Sequence, residues 1–239
     1  MLFTLQNLYK KKKINSMLKN PNLPESIQRY LLTNQKIFSK KIEGRSNNLR
    51  YIVFDTETTG LDEKRDKILS IGAVAVNGNS IHVDDSFYQI VQHYQEKLEK
   101  TAIQVHGIFP EQSLSGEKLD VVMCGFLDYL QDSIIVAHHA DFDIKITNRF
   151  LYSLYKVKLL NPIIDTAILM KRIYSIMNSY EYEPMGFNLN LDALAERFKI
   201  STEGRHNALA DAYITAELFL KLTTKLIRLG KKYWTDWII

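Results

Sequence analysis

Residues 51–61 read YIVFDTETTGL: an apolar run, Tyr51 to Phe54, leads into Asp55, Thr56 and Glu57 and then a turn at Thr59-Gly60. This pattern predicts a buried strand that ends in acids. Side chains on a strand alternate, so Asp55 and Glu57 point to the same face. Adjacent carboxylates repel and are costly to remove from water unless a cation or a proton compensates. The pair therefore reads either as half of a metal site or as two exposed acids at the mouth of a loop.

Downstream, Ile68 to Val76 and Ile81 to Ile90 read as strands joined at Asn77-Gly78, the residue types of a tight hairpin. Helical periodicity covers Leu119 to Leu130, Ile134 to Ala137 is a short apolar strand, and a helix with Phe142, Ile146, Arg149 and Phe150 follows it. Ile163 and Ile164 make a last short strand, and Thr166 to Ile176, Leu191 to Phe198 and Ala208 to Leu229 read as helices. The order predicts an α/β fold: a mixed five-stranded sheet, three antiparallel strands and then parallel ones, flanked by helices. Upstream, Pro24 precedes a helix over 25–38 with Ile27, Tyr30, Leu31 and Phe38 at helical spacing, and an earlier helix falls around Leu5 to Leu18. The turn-rich GRSNN at 44–48 is the expected linker. The chain thus divides into a basic helical extension (1–48), a main domain (49–229) and a short tail (230–239).

A chain of 239 residues, 46% hydrophobic and 24% charged, matches one globular domain with an appendage rather than a disordered or fibrous protein. Cys124 is the only cysteine, which excludes an intramolecular disulfide and a multi-cysteine zinc site. Its setting, VVMCGFL, reads as core. No signal peptide and no apolar run of ~18 residues is seen, so a soluble cytoplasmic protein without membrane association is expected. The net charge of +4 conceals a split: residues 1–50 carry 11 Lys/Arg and 2 Asp/Glu, leaving 20 and 25 for residues 51–239. The basic arm attracts phosphates or is simply a solvated helical surface. The acidic body is consistent with carboxylates that hold metal ions.

Two more acids stand at predicted element ends. IIVAHHADFDIKI runs from strand to helix with Asp143 beside the core residue Phe142, and Asp141 is its decoy. In GRHNALADAYITAELF, Asp211 precedes Ala212, Ile214, Leu218 and Phe219 on the packing side of a helix. His206 is five residues earlier, ~140° away on a regular helix, so it belongs at or before the helix start.

The ordered series DTETTGL, VHGI, AHHADFD, LDAL and HNALADA, spread over residues 50–225, resembles the DEDDh exonuclease family, and within it the epsilon proofreading subunits of bacterial replicative polymerases. The resemblance implies a ribonuclease H-like fold in which Asp55, Glu57, Asp143 and Asp211 hold two divalent ions, Mg²⁺ or Mn²⁺, and His206 is the general base. Hard oxygen ligands suit these ions, two of which stabilise both the attacking water and the departing 3′ oxygen. An imidazole, with an ordinary pKa of ~6.5, can take a proton at neutral pH.

The same resemblance places Thr58, Thr59, Gly60 and Leu61 around the terminal nucleotide, with Leu61 either a wedge against its base or a core residue. It places His106 near the substrate, where the alternative is a loop cap. His139 stands where the family usually has Asn, an imidazole in place of an amide, and is carried as a substrate-side position. A His138-His139 zinc pair is the competing reading, and Asp165 and Asp192 read as helix caps. The expected activity is 3′-to-5′ hydrolysis of single-stranded or frayed DNA ends to nucleoside monophosphates. The alternatives are RNA 3′-end trimming and a non-catalytic nucleic-acid-binding module. A polymerase partner is a further implication of the resemblance, weakened because the chain ends in YWTDWII where epsilon subunits carry an attachment segment.

Overall fold

The computed structural model describes residues 11–37, 49–93, 108–177 and 188–238. The proposed linker at 44–48, Phe38, the start of the first helix and His106 lie outside these residues.

Five strands form one sheet in the order β3-β2-β1-β4-β5, where β1 is Arg50–Thr58, β2 Ile68–Asn77, β3 Ser80–Ile90, β4 Ile134–Ala137 and β5 Ile163–Asp165. The first three strands are antiparallel neighbours, whereas β4 runs parallel to β1 and β5 parallel to β4. The β2–β3 turn is Gly78-Asn79, one residue later than read from the sequence, because Asn77 still pairs with Ser80. Gly78 takes φ +60° while Asn79 stays at negative φ. The loop therefore uses glycine at its first central position only, where a type I′ turn would require positive φ at both.

Helices cover both faces: α1 Glu25–Ile37, α2 Pro110–Leu114, α3 Leu119–Leu130, α4 Asp141–Tyr155, α5 Thr166–Met177, α6 Leu191–Phe198 and α7 Ala208–Arg228. The short α2 was not anticipated. Alternation along β1 divides the interior in two. Ile52 and Phe54 face a core shared with α1, α3 and α4, including Ile27, Tyr30, Leu31, Phe126 and Ile146. Tyr51 and Val53 face a core shared with α5, α6 and α7, including Met170, Leu194, Leu218 and Phe219. Trp234 and Trp237, past α7, are buried in this second core, and the Trp237 ring meets those of Tyr51 and Phe219.

Among the described residues no helix is long and apolar enough to cross a membrane.

Candidate active site

The same alternation decides which helix each acid of β1 meets. Asp55 and Glu57 continue the face of Tyr51 and Val53, towards α7, and Thr56 continues the face of Phe54, towards α4. Gly72, paired with Asp55 across the β1–β2 ladder, lets α7 reach the sheet. A Cβ at Gly72 would lie 2.2 Å from backbone atoms of Ala208 and Leu209, so no larger residue fits. Asn207 starts α7 there, its Oδ1 accepting from the amides of Leu209 (3.0 Å) and Ala210 (3.3 Å). Asp211, in the first turn, is thereby delivered to the strand acids. Ligand atoms of Asp55, Glu57 and Asp211 all lie within 4.8 Å of one another.

Asp143 comes from the opposite face. Its Oδ1 accepts from the Thr56 amide at 3.0 Å and the Thr56 hydroxyl at 2.6 Å, which puts it beside the trio rather than within it. Asp165 supports this placement: it caps α5 by accepting from the amides of Ala167 (2.8 Å) and Ile168 (3.3 Å), and its other oxygen accepts from Ala140 N at the start of α4 (3.0 Å). Asp141 is turned away in an exposed pair with Lys145.

Burial dominates the electrostatics. It pushes Asp55 well above the usual carboxylate range, with Asp143, Asp211 and Glu57 adding repulsion. Burial and the charge of Asp211 push Glu57 up to about 7. Asp143 also reaches about 7, burial outweighing its bonds from Thr56. Asp211 is raised by burial against the pull of Arg205. Oxygen donors that resist ionisation unless a positive charge arrives fit a hard dication, and Asp211 Oδ1 is buried with no hydrogen-bond partner among the described residues.

His206 precedes the Asn207 cap with φ +65° and an exposed side chain, and its amide donates to Asp211 Oδ2 at 3.3 Å. Its ring is therefore at the rim.

After β1 the chain folds into a tied loop. Thr58 Oγ1 donates to the Gly60 carbonyl (2.7 Å), Thr59 Oγ1 donates to Asp66 (2.8 Å), and the Asp62 amide donates to Asp66 (2.7 Å). A Cβ at Gly60 would come within 2.7 Å of the Asp66 carboxylate, so this loop too is built around a glycine. Leu61 is 88% exposed, which removes the core reading of that residue.

His139 takes φ +52° with its side chain exposed and is not part of the trio. That left-handed geometry is one Asn adopts readily and His tolerates. The zinc alternative for His138-His139 finds no third ligand among the described residues, and His138 Nδ1 is engaged with Thr166 Oγ1 at 2.8 Å.

Asp192 is not a cap. Asn190 caps α6, accepting from the Ala193 amide at 2.8 Å, while Asp192 binds Arg205 through Nε at 2.6 Å. Arg205 also donates to Asp211 Oδ2. Neither Arg205 nor Gly72 was singled out from the sequence. The signal for Gly72 was a lone glycine within a strand pattern, which marks close backbone approach. Arg205 stood beside His206 in GRHNALADA with nothing local to identify its partners.

Residues 52–219 match the RNase_T family, described as exonuclease. The DNA polymerase III subunit epsilon of Rickettsia felis is 32% identical over 184 residues, covering 74% of this chain and 75% of that protein. The PolC-type DNA polymerase III of Thermotoga maritima is 30% identical over 206 residues, covering 85% of this chain, which spans only 14% of that polymerase. Among solved structures, cell-death related nuclease 4 superposes with a TM-score of 0.63 at 18% identity, covering 78% of this chain and 67% of that one. Escherichia coli Exonuclease I in complex with a dT13 oligonucleotide gives 0.62 at 16% identity, covering 77% and 43%. At such identities the structural likeness speaks for the ribonuclease H-like fold alone. The family match over most of the chain and the epsilon relative together place this protein in the RNase_T exonuclease family.

Proposed function

We propose that the chain is a DEDDh-type, metal-dependent 3′-to-5′ exonuclease that removes nucleoside monophosphates from single-stranded or frayed DNA ends. The observation that carries this reading is the trio of Asp55, Glu57 and Asp211 within 4.8 Å, the strand acids half-buried and Asp211 buried, with Asp143 against it and His206 at its rim. The four acids would hold two divalent ions, Mg²⁺ or Mn²⁺. When bound, such ions supply Lewis acidity and neutralise the charge developing on the scissile phosphate.

The chain's own groups do the rest. Asp143 is fixed by Thr56 and Asp211 by Arg205, so both acids are oriented before substrate arrives. The exposed imidazole of His206 takes a proton from the attacking water. The loop of Thr58, Thr59, Gly60 and Leu61 receives the terminal nucleotide: its side-chain bonds to Asp66 hold it rigid, and Leu61 presents an apolar face to the base. His139, exposed just before α4, is assigned to the substrate side of the site. Residues 49–229 form the catalytic domain, with 1–48 a basic extension and 230–239 a tail, and the protein works in the cytoplasm. The names of the epsilon and PolC relatives support DNA over RNA and a polymerase as working partner.

Single-stranded DNA and RNA, labelled at the 5′ or 3′ end, are incubated with the protein in Mg²⁺, Mn²⁺ or chelator, beside Asp55→Ala. The expected outcome is metal-dependent mononucleotide release from DNA 3′ ends, lost in the variant. Release from RNA alone would replace the DNA assignment. Binding without release under any metal would leave only a binding module.

A further inference from the structure

Arg205 is held from two sides. Its Nε donates to Asp192 Oδ1 at 2.6 Å and its Nη2 reaches Asp192 Oδ2 at 3.3 Å, while Nη1 donates to Asp211 Oδ2. The first carboxylate stands at the surface, with 56% of its side chain accessible, and the second is buried, with 6%. The guanidinium is thus a rigid link from the rim of the site, on α6, to the first turn of α7. The planar fork of arginine suits such a link, because one head group can meet two carboxylates in fixed directions.

The consequence falls on Asp211. Its Oδ2 is taken by Arg205 and by the His206 amide at 3.3 Å, whereas Oδ1 is buried and accepts nothing from the described residues. The two oxygens are therefore unequal, and only Oδ1 is left for a cation. A carboxylate free to rotate would instead divide its time between orientations, or present both oxygens. The segment carrying Arg205 is itself constrained, since Gly204 has φ +78° and His206 φ +65°. Asp192 also neutralises the guanidinium, so the pair adds little net positive charge to repel a dication.

We infer that Arg205, braced by Asp192, is a positioning residue that turns Asp211 so that Oδ1 is presented to a divalent ion. This rests on the metal-site reading above, and the test separates the two. Mn²⁺ alone, without nucleic acid, is titrated calorimetrically into the full chain and into Arg205→Gln, Arg205→Lys, Asp192→Asn and the Arg205→Gln/Asp192→Asn double variant. Arg205→Gln should weaken Mn²⁺ binding about 10- to 100-fold, the range found when an outer partner of a metal ligand is removed. Asp192→Asn should weaken it less, and it alters only a surface carboxylate, so it remains informative if Arg205→Gln folds poorly. Arg205→Lys should fall between wild type and Arg205→Gln, because an ammonium keeps the charge but cannot span both acids.

The signature is coupling: the double variant should bind no more weakly than Arg205→Gln alone, as expected for residues acting in series. Tighter binding by Arg205→Gln would mean that the guanidinium competes with the ion, and would overturn the inference. So would unchanged affinity, or losses that simply add in the double variant. Failure of the wild-type chain to bind Mn²⁺ would instead overturn the metal-site reading itself.

Discussion

The two ends of the central sheet are built on opposite principles, although roughly 16 Å of strand separates Arg50 from Asp55. At the end where β1, β4 and β5 begin, polar groups are paired. Arg50 donates to the Tyr129 carbonyl and Ser133 Oγ, both at 2.9 Å, and to both oxygens of Asp85. Tyr30 from α1 donates to Asn161 at 2.5 Å and accepts from the Leu160 amide at 2.7 Å, and Asn161 reaches the carbonyls of Gln131 and Ser133. At the end where β1 finishes, four acids converge, a buried oxygen is left unpartnered, and His139 and His206 take left-handed backbone angles. The first end pairs its charged groups within the protein; the second leaves carboxylates for a ligand. Carboxylates left uncompensated together at one end of a sheet are a usual mark of a working site.

The largest break in this contrast comes from Gly72→Ala. The new methyl would meet the start of α7 at 2.2 Å, and backbone on both sides cannot give way cheaply. The helix must withdraw from β1 and take Asp211 with it. Overpacking of this kind costs about 1–3 kcal/mol, and displacing a catalytic group by ~1 Å costs about 100-fold in rate. Nuclease assays together with thermal unfolding should show both losses. A variant with wild-type rate and melting temperature would mean that the close approach at Gly72 does not set the geometry of the acids.

At the other end, Tyr30→Phe keeps the ring and removes the hydroxyl, stranding the Leu160 amide and freeing Asn161. An unmatched buried polar group costs about 1–3 kcal/mol. Denaturant unfolding should register that loss while the nuclease rate of the folded protein holds. A fall in rate without a fall in stability would mean that the two ends are coupled through the sheet.

The legibility of the chain divides along the same line. Strands and helices were readable because their apolar periodicity is local: Leu119–Leu130, Ile134–Ala137 and Leu191–Phe198 fall where the spacing put them. Asp55, Glu57 and Asp211 were readable as acids at element ends, and the structure brings them together. What stayed hidden depends on partners distant in sequence. Asp192 resembled a cap because it stands in the first turn of a helix, yet its bond is to Arg205, thirteen residues on. Thr56 looked like spacing between two acids, yet its hydroxyl holds Asp143 from 87 residues away. The hairpin slipped by one residue because Asn77-Gly78 and Gly78-Asn79 are both acceptable turn sequences, and only the ladder partner chooses between them.

The smallest expected effect concerns the pH dependence of the open end. Glu57 and Asp143 ionise near 7 in the folded protein, well above the ~4 of an unfolded chain. Between those values the folded state holds protons that the unfolded state has released. Without divalent ions, stability contributed by these groups is therefore present at low pH and is lost as pH rises through about 7. Glu57→Gln cannot ionise, so it escapes its share of the loss. In chelator at pH 8 its melting temperature should exceed the wild type's by roughly 2–4 °C, the shift produced by ~1 kcal/mol in a chain of this size. Most of the gain should vanish at pH 5, where wild-type Glu57 is already neutral when folded. Saturating Mg²⁺ at pH 8 should reverse the order, because the ion compensates Glu57 and finds a poorer ligand in glutamine. If Glu57→Gln is less stable than wild type in chelator at pH 8, the acids are already satisfied by the protein, and the contrast between the two ends of the sheet loses its electrostatic basis.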